Sequence, residues 1–172
     1  MNSNIYISGY ETFFEEILSI LANNKITDEL GEAIKKHALS FISVWNSNDF
    51  KQTGNTYTRC YIGKDSTSKW EAIVMCWKKG NQTSIHGHPD FASYTFLQGE
   101  IAVETFTPQE LNSVTKNTER VYKAGESLFA VGKSSHFDNH IHRLTCISDY
   151  AYSLHIYSDD ARKGKAFSLL KE

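Results

Sequence analysis

Hydrophobic and polar positions divide the chain into two textures. Over the first fifty residues the apolar positions recur at helical spacing. Phe13, Phe14, Ile17, Leu18 and Leu21 fall on one helical face, and Ser8 with Glu11 three residues later predicts a capping box at its start. A second helix is predicted from Thr27. Asp28 and Glu29 suit the positive end of its dipole, and Leu30, Ile34, His37, Ala38, Phe41 and Trp45 form its apolar stripe. After Asn55 the texture changes. Short runs rich in Tyr, Thr, Ile, Val and Phe, separated by turn residues, predict strands near 57–62, 70–77, 83–88, 93–98, 100–106, 119–123, 127–131, 141–147 and 150–158. Gly99–Glu100 reads as a hairpin and "TPQELNSVTKNTE" (107–119) as a polar loop. Many short strands at close spacing favour a sandwich or barrel. The expected architecture is therefore mainly β: one domain over 1–172, with a helical lead-in at 1–52 and an antiparallel β-barrel at 53–172.

Composition narrows the function classes. A chain of 172 residues can bury a sizeable core, and 40% hydrophobic with 22% charged residues is ordinary globular usage. A formal charge of −2 offers no electrostatic footprint for nucleic acid. The apolar run Ile17–Ala22 is too short to span a bilayer, and "MNSNIYISGYE" lacks the basic and long apolar regions of a signal peptide. The three cysteines, Cys60, Cys76 and Cys146, are odd in number and widely spaced, which fits reduced thiols. A cytoplasmic monomer with neither nucleic-acid nor membrane partners is expected.

The chemistry concentrates in histidines. In "NQTSIHGHPD" (81–90), His86 and His88 lie two apart on a predicted strand, so they share a face. Such a pair can bind a divalent metal, and it is read equally well as two solvent-facing or core-paired imidazoles. A metal needs a third ligand. "SSHFDNHIHRLTC" offers His136, His140 and His142; His142 starts the regular strand-like run, whereas His136 and His140 read as loop residues with a structural or solvated role. Arg59, on a predicted barrel strand, needs an anion if it lines the interior, and its fork suits a carboxylate; a surface salt bridge to an acidic side chain is the alternative. In "YSLHIYS", Ser153, His155 and Tyr157 alternate onto one face, while Tyr152, Leu154 and Ile156 take the other. The three can form a hydrogen-bonded row, or simply a polar strand face in water. Cys60 and Cys76 read as small apolar residues, and Cys146 shares a strand face with His142.

"GNQTSIHGH" (80–88) resembles the first metal motif of the cupin superfamily, a glycine followed after five residues by H-x-H, without the glutamate that usually comes next. More narrowly, "YTR" (57–59), "W…VMCWKKGNQTSIHGH" (70–88), "LQG" (97–99), "HR" (142–143) and "SLHIYS" (153–158) resemble the cysteine dioxygenase family in order and spacing. That resemblance implies a cupin double-stranded β-helix barrel. It implies Fe(II) held by His86, His88 and His142, with three neutral imidazoles leaving the ion its full charge for a thiolate. It places Arg59 on a substrate carboxylate, with Tyr57 nearby, and makes Ser153, His155 and Tyr157 a proton-handling relay. The implied reaction joins O₂ to a small thiol, L-cysteine first among them, to give a sulfinic acid. A dioxygenase for another small thiol such as a mercapto acid, or a non-catalytic cupin binding metal or a small acid, are the rival readings. The chain departs from the family pattern at Gly87, where aspartate is common, and at "SDD" (158–160), where Ser-Pro-Pro is usual. Ala92 or Ser93 stands where the animal enzymes carry a cysteine cross-linked to the relay tyrosine.

Overall fold

The computed structural model describes residues 4–22, 24–133 and 135–170, with the side chains of residues 4 and 5 not described. Helix α1 (Glu11–Leu21) buries Phe13, Phe14 and Ile17. Its capping box does not form. The chain turns at Gly9 (φ +100°), so the Glu11 carboxylate accepts from the Gly9 amide at 2.8 Å, and Tyr10 enters the helix without a side-chain cap. Helix α2 (Asp28–Ser40) starts as expected, with Thr27 Oγ1 accepting from Leu30 N. It stops before Trp45. A 3-10 turn (Phe41–Ser43) follows, and Trp45 packs beyond it on Tyr152, ring centroids 5.3 Å apart.

The strands are β1 (Asn4–Tyr6), β2 (Thr58–Lys64), β3 (Glu71–Lys78), β4 (Ile85–His88), β5 (Phe91–Gln98), β6 (Glu100–Pro108), β7 (Ser113–Lys123), β8 (Ser127–Val131), β9 (Asn139–Cys146), β10 (Tyr150–Tyr157) and β11 (Ala166–Leu169). They form two facing sheets. One runs β1-β2-β3-β10-β5-β8; in the other, β4-β9-β6-β7, strand β11 pairs with both β4 and β7 and closes the ring. The chain is thus mainly β with two helices, in a cupin double-stranded β-helix arrangement. Alternation then distributes the side chains. Cys60, Ile62, Ala72, Val74, Cys76, Leu154 and Ile156 face the helices, with Phe13, Phe14, Ile17, Leu30, Ile34 and Phe41 packed over them. Tyr61, Ile73, Met75, Trp77, Ala92, Tyr94, Phe96, Leu144, Cys146 and Tyr157 face the barrel interior. Burial on both faces explains why β3, "EAIVMCWK", is an almost unbroken apolar run. Gly31 of α2 sits where a Cβ would overlap the Phe129 ring, so the helix can lie directly on β8.

Four expectations are corrected. Residues 4–6, inside the helical lead-in, form a strand parallel to β2. Residues 113–118, read as loop, begin β7, because pairing with β6 makes a strand of a segment that mostly faces solvent. Strand β11 was not expected, and it too includes a parallel pairing, with β7. Gly99 (φ +77°) is not a hairpin turn, because β5 and β6 belong to different sheets. The chain crosses from one sheet to the other there, and a Cβ on residue 99 would meet the Tyr150 carbonyl.

Candidate metal centre

His86 and His142 are cross-strand partners, one on β4 and one on β9, and His88 is paired two residues along with Asn139 across a bulge. The side chains of His86, His88 and His142 converge, with one ligand atom from each lying within 4.8 Å of the others. His88 and His142 are fully buried. Two backbone carbonyls set the tautomers: His86 Nδ1 bonds Ser84 O at 2.8 Å and His88 Nδ1 bonds His140 O at 3.2 Å. Each such bond puts the proton on Nδ1 and leaves the Nε2 lone pair for a metal. His88 Nε2 and both ring nitrogens of His142 are buried with no hydrogen-bond partner. Uncompensated buried nitrogens are costly unless something binds them, so this donor set fits a metal ion. Burial holds all three imidazoles below their ordinary pKa, with the neighbouring histidines pushing His88 and His142 further down, so the lone pairs are free at neutral pH.

His140 departs from the sequence expectation. It is not a solvated loop residue but lies in β9, with a positive φ of +46° and its ring 5.1 Å from that of His142. The bulge beside Asn139 inserts it, and its carbonyl orients His88. His136 stays in the exposed loop. Gly87 lies against the backbone of Phe137 and Asp138, where a Cβ would overlap, so the aspartate common in the family has no room at that position. Next to His142, Arg143 points the other way and grips Glu104 of β6 through Nε (2.6 Å) and Nη2 (3.0 Å), which fixes the β9–β6 register.

The Ser153–His155–Tyr157 row of β10 faces the triad, and His155 bonds Ser153 Oγ and Tyr157 Oη, both at 2.7 Å. Sequence reading missed its anchor, Trp77 of β3, whose Nε1 donates to Ser153 Oγ at 2.9 Å. The anchor sets a direction. Indole only donates, so Ser153 Oγ accepts there and its own proton goes to His155 Nε2. Burial, with Arg59 next in effect, brings the His155 pKa down to about 3, so the ring is neutral and carries its proton on Nδ1. That proton goes to Tyr157 Oη, and the phenol's own hydrogen is left for the site. The Tyr157 ring stacks on His88 at 5.6 Å. Ala92 is its cross-strand partner on β5.

Arg59 of β2 lines a narrow cleft together with Tyr57, Ile73, Met75, Trp77, Leu144 and Ala161 and with His86, His142, His155 and Tyr157. Its Nη2 reaches the Tyr57 hydroxyl at 3.4 Å and its guanidinium lies 5.1 Å from that ring; among the described residues no carboxylate pairs with it. A second group missed by the sequence reading is Glu71. It is fully buried, held by Lys64 Nζ at 3.0 Å, and accepts from the amide of Ala161 at 2.9 Å, which ties the 3-10 turn Ala161–Lys163 to the cleft. Burial raises its pKa, and these two bonds act against that.

The crowd of neutral imidazoles gives a pH signature. The unfolded chain takes up protons near pH 6.5, whereas His140 and His155 are held to about 4 and about 3 in the fold, chiefly by burial. Stability is therefore full above pH 6.5 and falls as the pH drops toward those values. Chelator-treated protein is expected to lose stability on the order of a few kcal/mol between pH 7 and pH 4.5. Urea midpoints across that range check this, and a flat profile would contradict it.

A two-sheet barrel with three inward imidazoles on adjacent strands is a cupin-type barrel able to hold a metal. A family profile described as "Cysteine dioxygenase type I" matches residues 8–169, and the chain belongs to that family. Curated relatives include cysteine dioxygenase type 1 of Bos taurus and of Homo sapiens, each 28% identical over 107 residues, covering 59% of this chain and 50% of the relative. The matched region therefore spans about half the length of those relatives. Among solved structures, a cupin 2 conserved barrel domain protein from Leptotrichia buccalis is similar at 16% identity and a TM-score of 0.49, over 65% of this chain and 45% of that one. No helix among the described residues is long and apolar enough to cross a membrane.

Proposed function

We propose that this chain is an iron(II)-dependent thiol dioxygenase that converts L-cysteine and O₂ to cysteine sulfinic acid, acting as a cytoplasmic monomer. The observation that most supports this reading is the pairing of two features at one cleft: a set of three neutral imidazoles, two of which line it, and an arginine with no carboxylate partner among the described residues. His86, His88 and His142 hold the ion. When bound, iron supplies a place where a thiolate and O₂ meet, and both oxygen atoms end on sulfur. Three uncharged ligands keep the positive charge that draws a thiolate. Arg59 clamps the substrate carboxylate and thereby fixes the sulfur's position; Tyr57 supports the guanidinium. Ile73, Met75, Trp77 and Leu144 keep the cleft dry, which strengthens every charge interaction within it. Tyr157 offers its hydroxyl hydrogen to an acceptor beside the sulfur, with His155 and Ser153 fixing the phenol's orientation.

Oxygen consumption by iron-loaded protein over a panel of small thiols tests this reading. Cysteine is expected to be turned over best and cysteamine, which lacks the carboxylate, poorly. Arg59→Ala is expected to raise KM for cysteine by on the order of 100-fold, as for a lost charged hydrogen bond of about 1.5–3 kcal/mol, with iron content unchanged. Equal use of cysteine and cysteamine would remove Arg59 from the site. A mercapto acid outpacing cysteine would change the substrate, and no oxygen uptake with any thiol would leave a binding protein.

A further inference from the structure

Neither the triad nor the relay accounts for one buried hydroxyl, that of Tyr94. Alternation along β5 turns Ala92, Tyr94 and Phe96 inward, and Tyr94 is 1% exposed. Its ring centroid lies 5.0 Å from that of His142, 5.8 Å from His88, 5.1 Å from His155 and 6.1 Å from Tyr157. It meets His88, His155 and Tyr157 nearly edge-on, at 84°, 89° and 77°. The ring thus forms the wall between two triad histidines and the end of the relay. Its oxygen is buried; no protein group bonds it in good geometry, and its polar neighbour is the Tyr157 hydroxyl. Phenylalanine would fill the same space without stranding a donor, as Phe96 does two residues along, stacked on Tyr122 at 4.8 Å. A buried hydroxyl whose polar neighbour is a phenol already bonded by His155 is a cost that packing alone does not explain.

The direction of the relay adds a second donor. Trp77, Ser153 and His155 leave Tyr157 with a hydrogen to give, and the Tyr94 hydroxyl is its neighbour. The two phenols are neighbours, so even if one donates to the other a hydrogen is left over, next to imidazoles that are neutral and offer it no competing charge.

We propose that Tyr94 is a second donor of the metal centre, which with Tyr157 holds a small acceptor molecule of two or three atoms, of the dioxygen or azide type, beside His88 and His142. Like paired donors in an oxyanion hole, fixed phenols stabilise charge on such a molecule without reorganising. This rests on the triad being a metal site, and the test separates the two claims.

The experiment uses cobalt(II)-loaded protein with azide as the probe, read from the visible bands of the metal. The parent is expected to bind azide saturably. Tyr94→Phe is expected to bind cobalt with unchanged stoichiometry and affinity, and to weaken azide binding about tenfold or more, as for one lost bond to a charged acceptor. The metal-free variant is expected to melt at the same or a higher temperature than the metal-free parent, since it loses only a stranded hydroxyl. Three results would each overturn the proposal: no azide response in the parent, equal azide affinity in the variant, or a metal-free variant that melts several degrees lower, which would mean that the hydroxyl is already bonded inside the protein. Weakened cobalt binding in the variant would make Tyr94 a ligand and overturn it as well. A parent that binds no cobalt would remove the triad reading, and this inference with it.

Discussion

Alanine at His88 is expected to abolish tight metal binding and, with it, oxygen uptake with cysteine. The side chain is fully buried, its Nδ1 is tied to the His140 carbonyl at 3.2 Å, and its Nε2 has no protein partner. That tie orients the imidazole before any ion arrives, so its loss removes a prepaid ligand. Loss of a group that merely supports a ligand costs 10–100-fold in metal affinity, so loss of one of three ligands is expected to cost more than about 100-fold. His86→Ala and His142→Ala are expected to behave alike, because the three candidate ligand atoms lie within 4.8 Å of one another. His140→Ala is the informative control. It removes a ring packed 5.1 Å from that of His142 but keeps the backbone carbonyl that orients His88. Metal stoichiometry is expected to survive it. Metal analysis after gel filtration, with equilibrium titration for affinity, decides the matter; a His140→Ala protein without metal alongside a His142→Ala protein with metal would exchange their roles.

How far the sequence carried the reading differed by element, for physical reasons. The metal pair was visible because a strand's period of two forces His86 and His88 onto one face, and the same rule grouped Ser153, His155 and Tyr157. Strand β3 was visible because both of its faces are buried, which leaves a long apolar run, and β5 and β10 were visible from their aromatic and β-branched residues. Where the pattern depends on tertiary partners it failed. The start of β7 is polar because most of it faces solvent, and only its pairing with β6 makes it a strand. His140 looked like loop because Asp138 and Asn139 precede it; the bulge that turns it toward the triad is set by the pairing of β4 with β9, not by local propensity. Gly99 carried the right conformational signal, a positive φ, for a different purpose, a crossing between sheets. Tyr94 and Trp77 looked like ordinary core aromatics. Only the placement of β5 and β3 on either side of β10 brings a phenol and an indole to the relay. An inward-alternating tyrosine two residues after the position facing Tyr157 was the one available signal.

Tyr157→Phe is expected to slow turnover by roughly ten- to ten-thousand-fold, the span for losing a positioned proton donor, with iron retained. Proton donation requires a free phenol, and the strand register supports one. The residue facing Tyr157 on β5 is Ala92, followed by Ser93, and one of these two stands where the animal enzymes of the family carry the cysteine that cross-links the tyrosine. Neither alanine nor serine has sulfur to give. The remaining thiols are poorly placed. Cys60 and Cys76 lie on the opposite face of the sheet, 3.5 Å from each other and packed under the helices. Cys146 faces the interior, but its sulfur bonds the Ser148 carbonyl at 3.2 Å, toward the far end of β9 from the bulge. The phenol is instead held by His155 at 2.7 Å, and burial raises its pKa, so it stays protonated through the neutral range. A cross-linked tyrosine has its ring fixed by a covalent bond. Here the hydrogen-bonded row from Trp77 does that work, so Ser153→Ala is expected to lower the rate as well, by less than Tyr157→Phe and without loss of iron. Intact mass after aerobic turnover with cysteine, followed by peptide mapping, is the check. An unchanged mass is expected; a species lighter by two hydrogens, with Tyr157 joined to Cys60, Cys76 or Cys146, would overturn both the free phenol and the assignment of that cysteine's face.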